Sequence, residues 1–308
     1  MKEGKMLKKL DDVKELIKKG ELKRIALAFG EDAHSLKAVS LGIKEGLFSV
    51  TNFARKSVVE EVAAKENIDI SLMKIVDVKG SLEAIEKAVK DVREGRADVL
   101  MKGICSSHDY LHGILNKEWG LVPPGTLLSN AAIAEIPSYH KLLILSDPGV
   151  IIKPTLEMKI QQVKYCVDVA HKLGIDTPKV AILSAVETVN PKMESTVDGS
   201  IIAKMNERGQ IKNCIVDGPL AMDLIVSKEA AEIKKVKSEV AGDADIIIFP
   251  NIESGNAVYK TLTKLAGAKT AGVLLGTTAP CVLPSRADSV ETKFYSLLIA
   301  VAISGGKE

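Results

Sequence analysis

The residues best suited to chemistry lie near the C-terminus, in the stretch P-C-V-L-P-S-R-A-D-S-V-E-T from Pro280 to Thr292. Arg286, one of only six arginines in the chain, directly follows Ser285. The spacings S-x-x-D, ending at Asp288, and D-x-x-E, starting there, are typical of capping boxes that open a helix. Backbone N–H groups at a helix start, beside a hydroxyl and a guanidinium, suit a doubly charged oxyanion. The stretch therefore predicts a phosphate site, with a solvated surface arginine as the alternative.

The composition excludes several classes of protein. Charged residues make up 27% with a net charge of only +2, and aromatic residues make up 4%. This balance favours neither a nucleic-acid surface nor an anionic-membrane surface. The four cysteines are far apart, which is typical of reduced thiols in a cytoplasmic protein rather than of a disulfide framework or zinc site. Neither the N-terminus nor the apolar run after Phe294 predicts a targeting or membrane-spanning segment.

The elements that must position these residues alternate between strands and helices. The predicted strands are Arg24–Phe29, Met73–Val78, Asp98–Met101, Leu142–Leu145, Val180–Leu183, Asn213–Val216, Asp245–Phe249 and Ala271–Leu275. The predicted helices include Ser81–Glu94, Leu156–Leu173, Thr196–Glu207, Asp223–Lys235 and Ala257–Leu265. Continuous apolar strands between amphipathic segments indicate an α/β fold of mostly parallel sheets covered by helices. Breaks at Ser146–Lys153 and Gly276–Pro284 divide it into a first domain, 1–148 plus 278–308, and a second, 149–277, with a cleft between them.

Ligand loops in such sheets follow the carboxyl ends of the strands. This rule selects the loops Lys102–His108, Ser146–Gly149, Ser184 and Asp217–Pro219, which are expected to line one site. In the first of them, His108 is either a ligand or general acid or a solvated side chain. The rule also selects the turn at Gly255, where backbone could approach a ligand. Asn256 is either a helix cap or a ligand group, and Lys260 either adds positive charge or faces water. A separate turn, P-P-G-T at residues 123–126, precedes Ser129, which is expected either in the cleft or at a buried helix start.

Several familiar signatures are absent from the sequence. It contains no G-x-x-x-x-G-K-[ST], no G-x-G-x-x-G after a strand, no G-x-S-x-G and no H-E-x-x-H. These absences argue against a P-loop hydrolase, a Rossmann dinucleotide enzyme, a serine hydrolase and a zinc protease. No metal site is therefore predicted, and the remaining pattern favours a phosphate ligand without a nucleotide.

Five ordered blocks resemble the phosphate acetyl/butyryltransferase family. They are D-G-P-L-x-x-D at Asp217–Asp223, S-E-V-A-G-D-A-D at Ser238–Asp245, I-F-P-N-I-E-S-G-N-A-V-Y-K at Ile248–Lys260, L-A-G-A at Leu265–Ala268 and P-S-R-A-D-S at Pro284–Ser289. The resemblance implies an isocitrate/isopropylmalate dehydrogenase-like fold, with the active site between two domains and neither metal nor nicotinamide. It implies reversible conversion of acyl-CoA and phosphate into acyl phosphate and CoA, with coenzyme A thioester as a substrate and no bound cofactor. It also implies a homo-oligomer, such as a dimer.

Carried over residue by residue, the resemblance assigns roles in this chain. The family's Ser-Arg pair falls on Ser285 and Arg286, and its Gly-Asn pair on Gly255 and Asn256. The aspartate that acetyltransferases carry six residues after the arginine, as the proposed thiol base, is replaced here by Thr292, which makes Asp288 the nearest substitute in sequence. The expected catalytic residues are Ser285, Arg286, Asn256 and Asp288, and the expected substrate-binding residues are Gly255, Lys260, Asp217, Gly218, Ser129, His108 and Thr292.

The acyl group and two rival functions stay open on the sequence. The stretch from Ala97 to Ser129 contains Lys102 and Lys117 but none of the arginines that acetyltransferases place in their first domain. Together with S-R-A-D-S, this favours the butyryl branch, with acetyl transfer as the alternative. The rivals are a non-catalytic CoA or acyl-phosphate binder and, less favoured, an NAD-dependent dehydrogenase of the same fold.

Overall fold

The computed structural model describes residues 7–305, which form two compact units. Among the described residues, the unit that we call central contains Ser129–Thr270 and residues 7–10, and the unit that we call flanking contains Asp11–Leu128 and residues 271–305. The sequence predicts boundaries at 148/149 and 277/278 instead. The first difference arises because 129–148 pairs with strands of the central unit. That the two domains are independently stable stays a prediction. The prediction that the N-terminus holds no targeting segment rests partly on residues 1–6, which lie outside the described residues.

The described part of the chain alternates strands and helices throughout. The strands are β1 Lys23–Ala28, β2 Phe48–Ala54, β3 Lys74–Asp77, β4 Val99–Lys102, β5 Ser129–Glu135, β6 Leu143–Ser146, β7 Lys179–Leu183, β8 Ile215–Leu220, β9 Ile246–Ile248, β10 Lys269–Leu275 and β11 Cys281–Val282. The helices are α1 Val13–Ile17, α2 Ala33–Lys44, α3 Lys56–Lys65, α4 Ser81–Arg93, α5 Ser107–Ile114, α6 Leu156–Lys172, α7 Glu194–Glu207, α8 Met222–Val226, α9 Lys228–Ile233, α10 Ile252–Lys264 and α11 Val290–Ile303, with a 3-10 turn at Leu10–Asp12. The predicted α/β fold class is confirmed.

In the flanking unit the strand order is β3-β2-β1-β4-β11-β10. Strands β1, β4 and β11 are parallel neighbours, with Ala28 opposite Lys102 and Met101 opposite Val282. Residues 25–28 of β1 have no exposed surface, because helices cover both faces of a parallel sheet. The carboxyl ends of these three strands therefore lie at one edge of the sheet, side by side.

In the central unit the strand order is β5-β6-β9-β7-β8. Strand β5 is antiparallel to β6, and the pairs β6–β9, β9–β7 and β7–β8 are parallel. One face of this sheet, including Leu145 and Ile247, packs with Leu224 and Ile225 of α8 in a hydrophobic core. The loops after β6 and β9 consequently leave the same edge of the sheet.

Some predicted elements are wrong in extent. The helix predicted over Asp223–Lys235 is two helices, because Ser227 has extended backbone (φ −130°, ψ 117°) and caps α9 by accepting from the N–H of Ala230. Strand β8 extends through Leu220, four residues beyond the predicted end. Strand β5 occupies the segment for which a helix start was one alternative. Within residues 7–305, no helix has the length and apolar character needed to cross a bilayer.

Candidate functional site

The Ser285–Asp288 segment is a tight turn rather than a helix start. The Ser285 N–H donates to Asp288 Oδ2 at 2.8 Å, and the Asp288 N–H donates to the Ser285 carbonyl at 3.2 Å. Helix α11 begins only at Val290, after Ser289, whose hydroxyl accepts from the Thr292 N–H at 3.1 Å. The prediction that Ser285 or Asp288 opens the helix is therefore wrong, because these two residues bond to each other and Ser289 provides the cap.

Arg286 lies in the middle of this turn and is exposed. Within the described residues it makes no ion pair and no side-chain hydrogen bond. The Ser285 hydroxyl accepts from the Ala287 N–H at 3.3 Å, so its own proton is still available for donation. A guanidinium without a carboxylate, beside a hydroxyl donor, is suited to binding an oxyanion.

The two carboxyl or hydroxyl groups expected at the CoA thiol have structural partners. The side chain of Asp288 uses Oδ2 to close the turn. The backbone carbonyl oxygen of Asp288 lies 3.2 Å from His34 Nδ1. Thr292 Oγ1 accepts from the Ser289 hydroxyl at 3.1 Å, and its carbonyl accepts from Ser296 at 2.8 Å. Thr292 therefore belongs to the helix cap, whereas Asp288 Oδ1 has no hydrogen-bond partner within residues 7–305.

Three charged residues of the flanking unit, Lys102, Asp32 and Lys293, are absent from the expected site residues, although the strand-end rule already selects Lys102. Lys102, the last residue of β4, is 1% exposed and donates to the carbonyls of Gly103 and Cys105, both at 3.0 Å. Asp32, four residues after β1, caps α2 and accepts from Lys293 of α11 at 3.0 Å. Burial lowers the pKa of the Lys102 ammonium, and the positive charges of Lys293 and Arg286 lower it further. The signal available in the sequence was a lysine at the end of an apolar strand.

His108 lies in the first turn of α5 and is exposed. The cap of this helix is Ser106, whose hydroxyl accepts from the Asp109 N–H at 3.0 Å. The His108 ring stacks on His112 with 6.4 Å between centroids, and no hydrogen bond joins it to any described residue. This environment agrees with the alternative in which His108 is solvated.

The central unit contains a second polar cluster around Asp147, at the end of β6. This carboxylate is 2% exposed and accepts four hydrogen bonds. Oδ2 accepts from the Ser129 hydroxyl at 2.8 Å and the Asn130 N–H at 2.9 Å, while Oδ1 accepts from the Gly149 and Val150 N–H groups at 2.8 Å each. Ser129 has no exposed surface. Its hydroxyl thus holds the Asp147 loop, and binding of substrate by Ser129 stays a prediction.

Helix α10 packs against this same loop. Its cap is Asn251, which accepts from the Ser254 N–H at 2.9 Å, so the interpretation of Asn256 as the cap is wrong. Asn256 instead donates from Nδ2 to the Pro148 carbonyl at 3.1 Å, and one Nδ2 hydrogen is still available. A Cβ on Gly255 would lie 2.6 Å from the Asp147 carbonyl, so glycine permits close packing of helix on loop. This contact by itself favours glycine at the position, and binding of a ligand at Gly255 stays a prediction.

Lys260 lies one turn after Asn256 on α10 and is exposed, with its ammonium 5.6 Å from the centre of the Tyr259 ring. It belongs to neither of the hydrogen-bonded clusters described above. This position fits the alternative in which the side chain faces water.

Asp217 and Gly218 lie apart from the Asp147 cluster. They belong to β8, and three strands separate β8 from β5 in the order of the central unit. Asp217 Oδ1 accepts from the Gly218 N–H at 2.8 Å, and both residues line a groove of about 720 Å³ beside α7. The expectation that they follow a strand is wrong, because β8 runs on to Leu220.

The buried thiols are poor candidates for nucleophiles. Burial raises the pKa of Cys105 to about 11 and that of Cys281 to about 12. Both thiols are therefore protonated at neutral pH. Among residues 7–305, no group of three or more His, Cys, Asp or Glu side chains is arranged to hold a metal ion.

Comparison with known proteins connects these clusters to one family. The family model described as phosphate acetyl/butaryl transferase matches residues 81–301. A phosphate butyryltransferase from Clostridium acetobutylicum is 43% identical over 98% of this chain and 100% of the relative. A phosphate acetyltransferase from Thermotoga maritima is 42% identical over 93% of this chain and 97% of the relative.

Solved structures support the same grouping. A branched-chain phosphotransacylase from Enterococcus faecalis has a TM-score of 0.82 and 34% identity, over 92% of this chain and 99% of that one. A 4-hydroxythreonine-4-phosphate dehydrogenase from Salmonella typhimurium has a TM-score of 0.58 and 8% identity, over 92% and 100%, which shows a shared fold alone. The sequence-wide identity, and the family match that spans both the Asp147 cluster and the Arg286 turn, establish that the chain belongs to the phosphate acetyl/butyryltransferase family.

Proposed function

We propose that this protein catalyses reversible transfer of an acyl group between acyl-CoA and inorganic phosphate, giving acyl phosphate and CoA. The observation that carries the proposal is Arg286, exposed in a tight turn beside the free hydroxyl proton of Ser285, with no carboxylate partner among the described residues. Family membership supplies the reaction, and the turn supplies a group suited to the phosphate dianion.

In the acyl-phosphate-forming direction, Arg286 and Ser285 hold phosphate for attack on the thioester carbonyl. Phosphate is already anionic, so holding it next to the thioester carbonyl supplies much of the rate acceleration that a covalent enzyme intermediate would otherwise supply. Asn256 Nδ2, fixed by its bond to Pro148, has the second hydrogen needed to stabilise the tetrahedral oxyanion. Such a donor is commonly worth about 3 kcal/mol of transition-state stabilisation. In the reverse direction the CoA thiol loses its proton, and Asp288 Oδ1 is the carboxylate oxygen available in the turn.

Butyryl is the acyl group that we favour, with acetyl as the alternative. Relatives of nearly equal identity are named for butyryl and for acetyl transfer, at 43% and 42%. Thr292, in place of the acetyltransferase aspartate, and the lack of arginine between Ala97 and Ser129 favour the longer chain. The chain-length preference is measured as kcat/KM for butyryl-CoA and acetyl-CoA in the same assay.

The test is release of free CoA thiol from each thioester with and without inorganic phosphate. We expect phosphate-dependent release that is faster with butyryl-CoA. Arg286→Ala should lower kcat/KM for phosphate about 100-fold, because a charge-assisted contact of about 3 kcal/mol is lost. Arg208→Ala is the matched control, since Arg208 is also exposed, and its kinetics should match wild type. No phosphate-dependent release from either thioester, or normal phosphate kinetics in folded Arg286→Ala, contradicts the proposal.

The proposal includes a cytoplasmic enzyme that acts as a homo-oligomer, such as a dimer, without a bound metal or nicotinamide. The four free cysteines support a reducing compartment. Light scattering coupled to gel filtration measures the oligomeric state, and a monomeric mass of the active enzyme would contradict that part.

A further inference from the structure

Lys102 is a buried charge without a carboxylate partner. Its side chain is 1% exposed, and within the described residues its ammonium bonds only to two backbone carbonyls, those of Gly103 and Cys105. Two of its three N–H donors are thereby used, and one has no acceptor in residues 7–305. Burying an ammonium costs several kcal/mol unless an opposite charge compensates it. The position therefore requires a reason other than the stability of the fold.

The nearby acid is already committed to another lysine. Asp32 accepts from Lys293 at 3.0 Å and from the Ser35 N–H at 2.9 Å, both through Oδ1. Lys293 also donates to the Ser35 hydroxyl at 3.0 Å, while the second carboxylate oxygen, Asp32 Oδ2, is buried and accepts no hydrogen bond from the described residues. Asp32 acts on Lys102 only through space, where it opposes the effect of Lys293. Lys102 and Lys293 carry two positive charges near the single negative charge of Asp32, so the net charge of these three side chains is positive.

Sheet topology places this field next to the Arg286 turn. Lys102 ends β4, and the residue opposite its neighbour Met101 is Val282, the last residue of β11. The chain reaches Ser285 three residues later, and the positive charge of Arg286 is one of the causes that lower the pKa of Lys102, after burial and Lys293. Two cations that repel each other at adjacent strand ends are an unfavourable arrangement in the unliganded protein. A dianion between them would convert that repulsion into attraction.

We propose that Lys102 is a phosphate-binding residue, which together with Arg286 provides two positive charges for the phosphate dianion. This inference rests on the proposed function and extends it to a residue of the flanking unit. Lys102 offers the dianion a point charge at the end of a strand, whereas Arg286 offers a planar guanidinium in a turn. Its role is binding and positioning, and no proton transfer is assigned to it.

Two substitutions separate the charge from the hydrogen bonds. Lys102→Gln keeps an amide donor for the Gly103 and Cys105 carbonyls but removes the charge, and Lys102→Met removes both while keeping the length of the side chain. Lys117→Met is the control, because Lys117 is an exposed lysine of the same unit. Binding of inorganic phosphate to each full-length protein is measured by isothermal titration calorimetry, and KM for phosphate and for butyryl-CoA by thiol release.

We expect both Lys102 variants to bind phosphate at least tenfold more weakly and to show a KM for phosphate raised by the same factor. KM for butyryl-CoA should stay within about twofold of wild type, and Lys117→Met should match wild type throughout. The melting temperature of Lys102→Met should equal or exceed that of wild type, because an apolar side chain of similar volume removes a buried charge. A purely structural lysine would instead lower the melting temperature and leave the phosphate affinity of Lys102→Gln unchanged.

The outcomes distinguish this inference from the proposed function. Wild-type turnover with unchanged phosphate binding and KM in both Lys102 variants overturns the role of Lys102 and leaves the transferase intact. Absence of phosphate binding to wild type also overturns it. Phosphate binding that depends on Lys102, without phosphate-dependent release of CoA, supports the site and refutes the transferase.

Discussion

The substitution Asp147→Asn tests whether one buried carboxylate organises the loop that Asn256 contacts. Asp147 accepts four hydrogen bonds, two at each oxygen, from groups 17 and 18 residues upstream and 2 and 3 residues downstream. Asparagine has almost the same shape but presents one acceptor and one donor. The substitution therefore changes the hydrogen bonding of the loop while leaving its packing intact.

The free-energy cost of Asp147→Asn depends on which N–H and O–H donors lose their acceptor. The less costly amide orientation keeps the carbonyl oxygen facing the Gly149 and Val150 N–H groups and turns the NH₂ group toward Ser129 and Asn130. The Ser129 hydroxyl can rotate and accept, but the Asn130 N–H cannot and is left unpaired, at about 1–3 kcal/mol. Loss of the charge weakens the two bonds that remain by about 0.5–1 kcal/mol each. We expect a total of about 3 kcal/mol, and the opposite orientation costs more because it leaves two N–H groups unpaired.

Hydrogen exchange followed by mass spectrometry measures this cost where it arises. A loss of about 3 kcal/mol of local stability corresponds to amide exchange about 100-fold faster. Peptides spanning 129–150 should show this acceleration at Asn130, Gly149 and Val150. The rate of thiol release should fall as well, because Asn256 is held by the Pro148 carbonyl of the same loop.

The matched control is Asp168→Asn in the same unit. Asp168 is 62% exposed in its side chain and pairs with Lys172 on the surface of α6 at 2.9 Å. Removal of such a pair changes stability by less than about 0.5 kcal/mol. If exchange in 129–150 of Asp147→Asn stayed within about threefold of wild type, the carboxylate would not organise the loop and the reasoning would be refuted.

Three further predictions concern packing, pH and thiols. Gly255→Ala should lower the free energy of unfolding by about 1–3 kcal/mol in urea titrations, because its Cβ meets backbone at 2.6 Å; an unchanged midpoint would contradict this close contact. Burial would raise the pKa of Asp243, but hydrogen bonds from Lys179 and two other basic side chains hold it well below its ordinary value. Its stabilisation is present above about pH 4 and is lost as pH falls further, so the wild-type urea midpoint should drop more than that of Asp243→Asn between about pH 5 and about pH 3. Equal drops would contradict this contribution. Cys105 and Cys281 should not react with a disulfide reagent at pH 7.5 until urea is added, because their pKa values are about 11 and about 12; rapid reaction of either thiol in the folded protein would refute their burial.

The sequence predicts elements with a strong local apolar pattern well and others poorly, for a physical reason. Helix α6, with 17 residues of amphipathic pattern, was predicted over nearly its full length, and the buried β1 within one residue at each end. The predicted strands do not include β2, β5 or β11, although β2 and β5 have seven residues each. The two-residue β11 is too short to give a pattern, and its position depends on β4, about 180 residues earlier in the chain. The end of β8 was misplaced for a related reason: Asp, Gly and Pro usually mark a turn, yet here they stay paired with β7.

The candidate site shows the same division between local and distant information. Arg286 is predicted from its neighbours in sequence alone, although the helix cap is Ser289, and its contact with phosphate stays a proposal. Lys102 required the sheet order, since a lysine at a strand end is unremarkable until its neighbours prove to be β1 and β11. Motif spacing therefore reveals ligands contributed by a single turn, whereas a charge shared between strand ends becomes visible only when the register is known. For this reason phosphate binding by Lys102 variants is the sharper test of what the fold adds to the motif.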